Sequence, residues 1–249
     1  MAEIAVITHH RDQLFRSKSL GQNSSGYMLG PILVELAQRG HAINVINGFP
    51  GENVTCDVAI MPVDLTRVPR EYTDLGRSFP LCLNVRATDI SKRVVSGLLV
   101  DRATDWTGPV IVKSNMNYQG IPELSLNRLA QAEKASEPFP GIRDAAGYKV
   151  FANVTEVPAV SWGDENLVVE KFMPEKLKDG FGVRFWTFLG NEERCDRCVS
   201  STEFVKAAGV IRLEPSPVPA RLREIREHMG STTARSISSC GTVRRSCSM

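Results

Sequence analysis

The chain has 249 residues, with 30 Lys and Arg against 28 Asp and Glu, so its formal net charge is +2 and no global field favours nucleic acid or an anionic membrane surface. Apolar residues make up 42% and charged residues 23%, ordinary globular usage that excludes a natively disordered chain. No apolar run approaches the roughly 20 residues that a bilayer span requires, and six scattered cysteines do not make a disulfide scaffold.

The N-terminus MAEIAVITHHRDQ lacks the basic start and long apolar core of a secretion signal, which gives the expectation of a cytoplasmic protein with reduced thiols. Residues 3–8 (EIAVIT) are a β-branched run and predict a strand. Residues 30–40 (GPILVELAQRG) place Ile32, Leu33, Leu36 and Ala37 at helical spacing, with Pro31 at the start and Gly40 past the end. Residues 41–47, 56–63 and 81–85 read as three further strands, and strands spaced this way predict a parallel α/β sheet over residues 1–85. His9 and His10 follow the first strand, where α/β sheets hold ligands. They are either a ligand contact or an ordinary loop pair.

Residues 89–99 (DISKRVVSGLL) read as a capped helix, and 109–113 (PVIVK) as a strand ending in Lys113 before the polar loop SNMNYQGIPE. Residues 121–145 are weakly patterned, with turn signals at Pro138, Pro140 and Gly141, and are expected to be an insertion or partly mobile excursion. Residues 167–172 (LVVEKF) and 182–189 (GVRFWTFL) predict strands, and 220–229 (ARLREIREHM) an amphipathic helix with Leu222, Ile225 and Met229 on one face. Cys195 and Cys198 form a C-x-x-C that suits zinc or redox chemistry, but no second close pair completes a structural zinc site. A pair of ordinary thiols is the other reading.

From Gly230 the character changes: GSTTARSISSCGTVRRSCSM has six Ser, three Thr, two Cys and three Arg in 20 residues, with no acidic residue and no Leu. No period is usable, and residues 230–249 are expected to be an aberrant, disordered tail. Ser and Cys codons are what apolar codons become when read one base out of step. One allowed back-translation of the tail, read from its third base, gives FDYGKIDFVVRDGEAVVLD, two alternating strands joined by an Asp-Gly turn. The expectation is a register loss of one nucleotide near Gly230.

Two lysines beside a glycine-bearing loop suit a triphosphate, because phosphate oxygens take point cations and backbone N–H groups. An extended strand end beside a carboxylate suits an adenine edge. In the order DISKR, GPVIVKSNMNYQGIPE, LVVEKFMPE and GVRFWTFLG, over residues 84–229, the sequence resembles the ATP-grasp superfamily, in particular glutathione synthetase-like and RimK-like ligases.

The resemblance implies a pre-ATP-grasp domain (1–85), a small (86–166) and a large (167–229) ATP-grasp subdomain, the latter incomplete. The implied fold class is α/β followed by α+β, with the C-terminal metal-binding strands missing. It also implies that Lys92 and Lys113 bind phosphates, that Asn117 to Gly120 form a mobile loop over them, and that Glu170, Lys171 and Phe172 hold adenine. Glu175 then takes the ribose, and Arg184 stabilises the acylphosphate or transferring phosphoryl group.

Members of the superfamily use ATP with Mg²⁺ to join a carboxylate to an amine or thiol. The implied partners are therefore ATP and a small carboxylate or peptide, with no nucleic acid or membrane and no indication of oligomeric state. The departure is that no acidic residue follows Glu227, and Ile237 stands where the recoded string carries its central Asp. No metal ligand can be assigned, so an impaired ligase is expected, with a non-catalytic nucleotide binder or scaffold as the alternative.

Overall fold

The structure, a computed structural model, describes residues 1–12, 29–50, 54–144, 147–205, 207–231 and 233–238. The chain forms two compact units: Met1–Gly97 with Lys113–Tyr148 and Val160–Val168, and Leu98–Val112 with Lys149–Ala159 and Val169–Met249. No helix among the described residues is long and apolar enough to cross a membrane.

The first unit is built on β1 (Glu3–Thr8), α1 (Leu29–Gln38), β2 (Ala42–Asn47), β3 (Val58–Ile60), α2 (Arg70–Arg77) and β4 (Cys82–Leu83), whose strands form one sheet in the order β2-β1-β3-β4. Every pair is parallel, as the sequence predicts. β1 is apolar at successive positions because both faces of its sheet are covered. Ile4 and Val6 pack with Leu29 and Leu33 of α1, while Ala5 and Ile7 pack with Tyr72 of α2, Phe79 and Leu126. The chain leaves β1 for β2 and then returns beyond β1 to β3, so strand order reverses at the β1/β3 boundary, the position where open α/β sheets form a crevice.

The expected helix over 89–99 shrinks to one turn, α3 (Lys92–Val95), because Ser96 is already extended at ψ 128°. Consecutive Val94 and Val95 followed by Ser-Gly are poor helix continuers. Next comes β5 (Val110–Ser114), then a helix that the sequence reading missed, α4 (Ile121–Ala132). Residues 121–132 are therefore regular, where the sequence predicts an insertion or partly mobile excursion. The buried stripe of α4 is Glu123, Leu126, Asn127 and Ala130, a clean i, i+3, i+4, i+7 pattern in which two polar residues conceal the apolar period. Asn127 is satisfied there: its amide donates to Phe139 O at 2.8 Å and accepts from Phe139 N at 2.9 Å.

Beyond α4 lie β6 (Lys149–Phe151), α5 (Ala159–Gly163) and β7 (Leu167–Lys171), with the strands in the order β6-β5-β7. The second unit also holds β8 (Glu175–Leu177), β9 (Gly180–Leu189), β10 (Glu192–Ser200), β11 (Val210–Pro215), α6 (Ala220–Met229) and β12 (Thr233–Ser238). Its main sheet runs β11-β10-β9-β12 with antiparallel pairs, and β8 also pairs with β9. Leu222 of α6 is buried against Trp186, Phe188 and Cys195, so the helix covers the sheet as its amphipathic pattern predicts. Thr233–Ser238 lie within the expected disordered tail but are a strand on β9. Residues 232 and 239–249, with Cys240 and Cys247, lie outside the described residues.

Candidate functional site

In the first unit, β5 delivers Lys113 one residue before its end, and the segment that follows is pinned by side chains. Buried Asn115 accepts from Arg93 N at 3.0 Å through Oδ1 and donates to Glu165 O at 3.2 Å through Nδ2, while its carbonyl accepts from Lys92 N at 2.9 Å. Lys92 Nζ donates to Met116 O, so this ammonium lies at the entrance of the 117–120 turn. Asn117 N is fastened to Thr66 Oγ1 at 2.9 Å.

Residues 117–120 form a 3₁₀ turn in which Tyr118, Gln119 and Gly120 have φ of 45°, 60° and 78°. Consecutive left-handed residues are costly unless the surroundings impose them, and such strain gathers at functional loops. Gly120 is needed twice over, since a Cβ there would also lie 3.2 Å from Ile142 Cγ2. Lys92, Asn117 and Gly120 are thus brought together, with Lys113 four residues before Asn117.

In the second unit, Glu170 is 3% exposed and is bridged to Leu99. The neighbouring main-chain donors are engaged within the protein: Lys171 N donates to Leu98 O at 2.8 Å and Phe172 N to Pro109 O at 2.9 Å. These two N–H groups cannot also read an adenine edge in this conformation. Lys171 Nζ lies 5.0 Å from the Trp106 ring centroid, and Phe172 stacks on Phe204 at 5.5 Å.

Glu175 and Arg184 are joined to each other. The guanidinium grips the carboxylate with both terminal nitrogens, the Nη2–Oε1 distance being 2.8 Å, and its Nε donates to Ser216 Oγ at 2.9 Å. Arg197 adds a second cation to Glu175 at 3.2 Å and also pairs with Glu214, so the ribose and phosphoryl candidates sit inside a half-buried ion network. That pairing was not readable from the sequence, where the two residues are separated by a turn.

Cys195 and Cys198 are buried and lie three residues apart on β10, hence on opposite faces of the sheet. They cannot share a metal ion, and burial pushes the Cys195 thiol up. His9 is buried and its ring is held neutral, with a pKa lowered to about 4 by burial and then by His10 and Arg11. It stacks on His10 at 4.3 Å and accepts from Arg11 N at 3.1 Å.

Mg²⁺, which the sequence resemblance implies, requires hard oxygen ligands. No acidic residue follows Glu227, and among the described residues no three His, Cys, Asp or Glu side chains gather as a ligand set. The described residues do not offer Mg²⁺ a ligand set.

No protein-family model matches the chain, and no curated protein matches it. Among solved structures it is similar to the macrocyclase MdnC bound with precursor peptide MdnA from Microcystis aeruginosa MRC, with TM-score 0.45, 10% identity, and 94% of this chain and 85% of that chain covered. It is similar also to the macrocyclase MdnB of the same source, with TM-score 0.41, 10% identity, and 94% and 85% covered. A third is a Chryseobacterium gregarium RiPP-associated ATP-grasp ligase in complex with ADP, and a leader and core peptide, with TM-score 0.40, 10% identity, and 94% and 84% covered. Likeness at this level assigns no residue.

Proposed function

We propose that the chain is an ATP-binding protein of the ATP-grasp type, an ATP-dependent carboxylate–amine or carboxylate–thiol ligase working through an acylphosphate, impaired by the absence of metal carboxylates. The observation that carries this reading is Lys92, fastened at the entrance of the strained 117–120 turn, which begins three residues after the end of the Lys113 strand. Lys92 and Lys113 neutralise phosphate charge and the turn closes over it, while Glu170, Lys171 and Phe172 hold the base. Phosphoryl transfer is mostly positioning and charge neutralisation, so no nucleophile triad is required. Arg184 acts on the developing charge with the N–H groups that Glu175 and Ser216 leave over, or after exchanging Glu175 for the ribose. The acid is a small carboxylate or a peptide.

A non-catalytic nucleotide binder or scaffold is the second reading, favoured by the lack of any acidic residue after Glu227. The test is ATP titration of the full chain and of Lys113→Ala, with and without Mg²⁺, together with ADP release. The expected result is ATP binding with modest Mg²⁺ dependence in the parent and none in the variant. Unchanged affinity in Lys113→Ala removes the central residue of the proposal. Mg²⁺-dependent turnover in the parent overturns the impairment and restores a complete ligase. Reading the coding DNA beyond Gly230 in all frames tests the register loss directly.

A further inference from the structure

β11 is the last strand of its sheet: β10 pairs with one side of it, and among the described residues no strand pairs with the other. The ladder fixes what that other side offers. Ser216 N donates to Cys195 O at 3.0 Å, and the same register sets Glu214 against Arg197 and Arg212 against Val199. Residues 212, 214 and 216 therefore turn their main-chain groups to β10, and Leu213, which alternates with them, turns its N–H and C=O outward. The β-bulge at Val199/Ser200 lies beyond Arg212, which leaves 212–215 a regular edge.

A proline and two charges sit on this edge, features that discourage pairing with an arbitrary strand. Its apolar residues are nevertheless presented to solvent, Ile211 at 61% and Leu213 at 63% exposure. Leu213 stands opposite Cys198, and Cys198 opposite Val183, so the three form one row across the sheet. The inner two are buried, and the row lies open at Leu213. On the other face Arg212 pairs with Glu214 at 3.0 Å and with Asp179 at 2.7 Å, and Glu214 pairs also with Arg197.

We propose that β11 is an interaction edge whose partner is β11 of a second copy of this chain, antiparallel about a two-fold axis through Leu213. The order of side chains selects both partner and register. Leu213 then meets its own counterpart in a main-chain-bonded pair, and the row Val183–Cys198–Leu213 continues unbroken into the same row of the second copy. Arg212 faces the second copy's Glu214, and Glu214 its Arg212, so two opposite-charge pairs flank the axis. An axis moved by one residue sets Arg212 against Arg212 or Glu214 against Glu214, which like-charge repulsion disfavours. Pro215, with no N–H to give, falls at the end of the pairing opposite Ile211. One strand from each copy buries far less than the roughly 1,200 Å² of a standard interface, so the dimer is weak and forms as concentration rises.

The test is sedimentation velocity of the full chain from about 10 μM to about 1 mM, in low and high salt, with amide hydrogen exchange on the same samples. A reversible monomer–dimer equilibrium is expected that weakens as salt rises, together with exchange at the Leu213 amide that slows as concentration rises. Leu213→Lys sets two ammonium groups together at the axis and abolishes the dimer. Because the position is solvated in the monomer, its melting temperature at low concentration stays that of the parent. Leu213→Ile keeps the apolar row and retains the dimer. A chain that is monomeric throughout, a dimer that survives Leu213→Lys, one lost in Leu213→Ile, or Leu213 exchange indifferent to concentration each overturn the proposal. A dimer strengthened by salt overturns the register set by charge. The proposal does not rest on the nucleotide reading, and neither outcome of the ATP titration bears on it.

Discussion

Replacing Asp64 by Asn removes a charge that the fold holds at a cost. Burial first, then Asp12 and Glu123, raise the Asp64 carboxyl from 3.8 to about 6. A raised acid stabilises least when ionised: the penalty is absent below the unfolded value, grows as pH rises from about 4 to about 6, and is complete above that. A shift of about two units corresponds to about 3 kcal/mol at neutral pH, brought nearer 2 kcal/mol by partial exposure. Asp64→Asn is therefore expected to gain about 2–3 kcal/mol of unfolding free energy at about pH 7 and almost nothing below about pH 4. Urea denaturation of parent and variant at both pH values measures this, with equal slopes confirming that only stability changed. His9 moves in the opposite sense. Its pKa is lowered to about 4 by burial, His10 and Arg11, so its contribution is present above 6.5 and lost as pH falls. That term is common to both proteins and cancels in their difference. A destabilised variant at neutral pH, or a gain of equal size at both pH values, would falsify the reasoning.

Three further perturbations test the site geometry. Gly120→Ala strains a left-handed residue and crowds Ile142, and should cost about 1–2 kcal/mol in the same urea assay; a neutral variant would show that the 117–120 turn readily rearranges. Glu175→Gln leaves Arg184 and Arg197 with less compensation in a half-buried network, and is expected to destabilise by about 2–4 kcal/mol, measured by thermal melting in low and high salt. Cys195 and Cys198 face opposite sides of β10 and are buried, so thiol titration of the native chain should count neither until denaturant is added, and metal analysis should find no stoichiometric zinc.

The parallel sheet was legible because both faces of β1 are covered, which writes an unbroken apolar run into residues 4–7. α6 was legible because its apolar face is Leu222 and Ile225 with nothing polar interposed. α4 was concealed by the residues that give it interest: Glu123 and Asn127 occupy core positions, and only their partners at Thr66 and Phe139 explain why they can. β10 was hidden by its charges, since EERCDRCVS reads as a metal motif until the alternation places Cys195 and Cys198 on opposite faces. Among the candidate site residues, the lysines and Gly120 are picked out by type and spacing. The grip of Arg184 on Glu175, and the engagement of Lys171 N and Phe172 N, depend on which segments meet, and sequence spacing carries no such information.

In the sheet of the second unit, two segments pair in series along the side of β9 that β10 leaves open, β8 along Gly180–Gly182 and β12 along Arg184–Leu189. Their main-chain bonds satisfy donors and acceptors that would otherwise offer a template for another chain. Because the pairing is made by peptide groups, it is indifferent to which side chains occupy 233–238. Side chains can therefore change in that segment while its cover of β9 persists, and removing the segment would expose main-chain groups of β9 as a template for self-association.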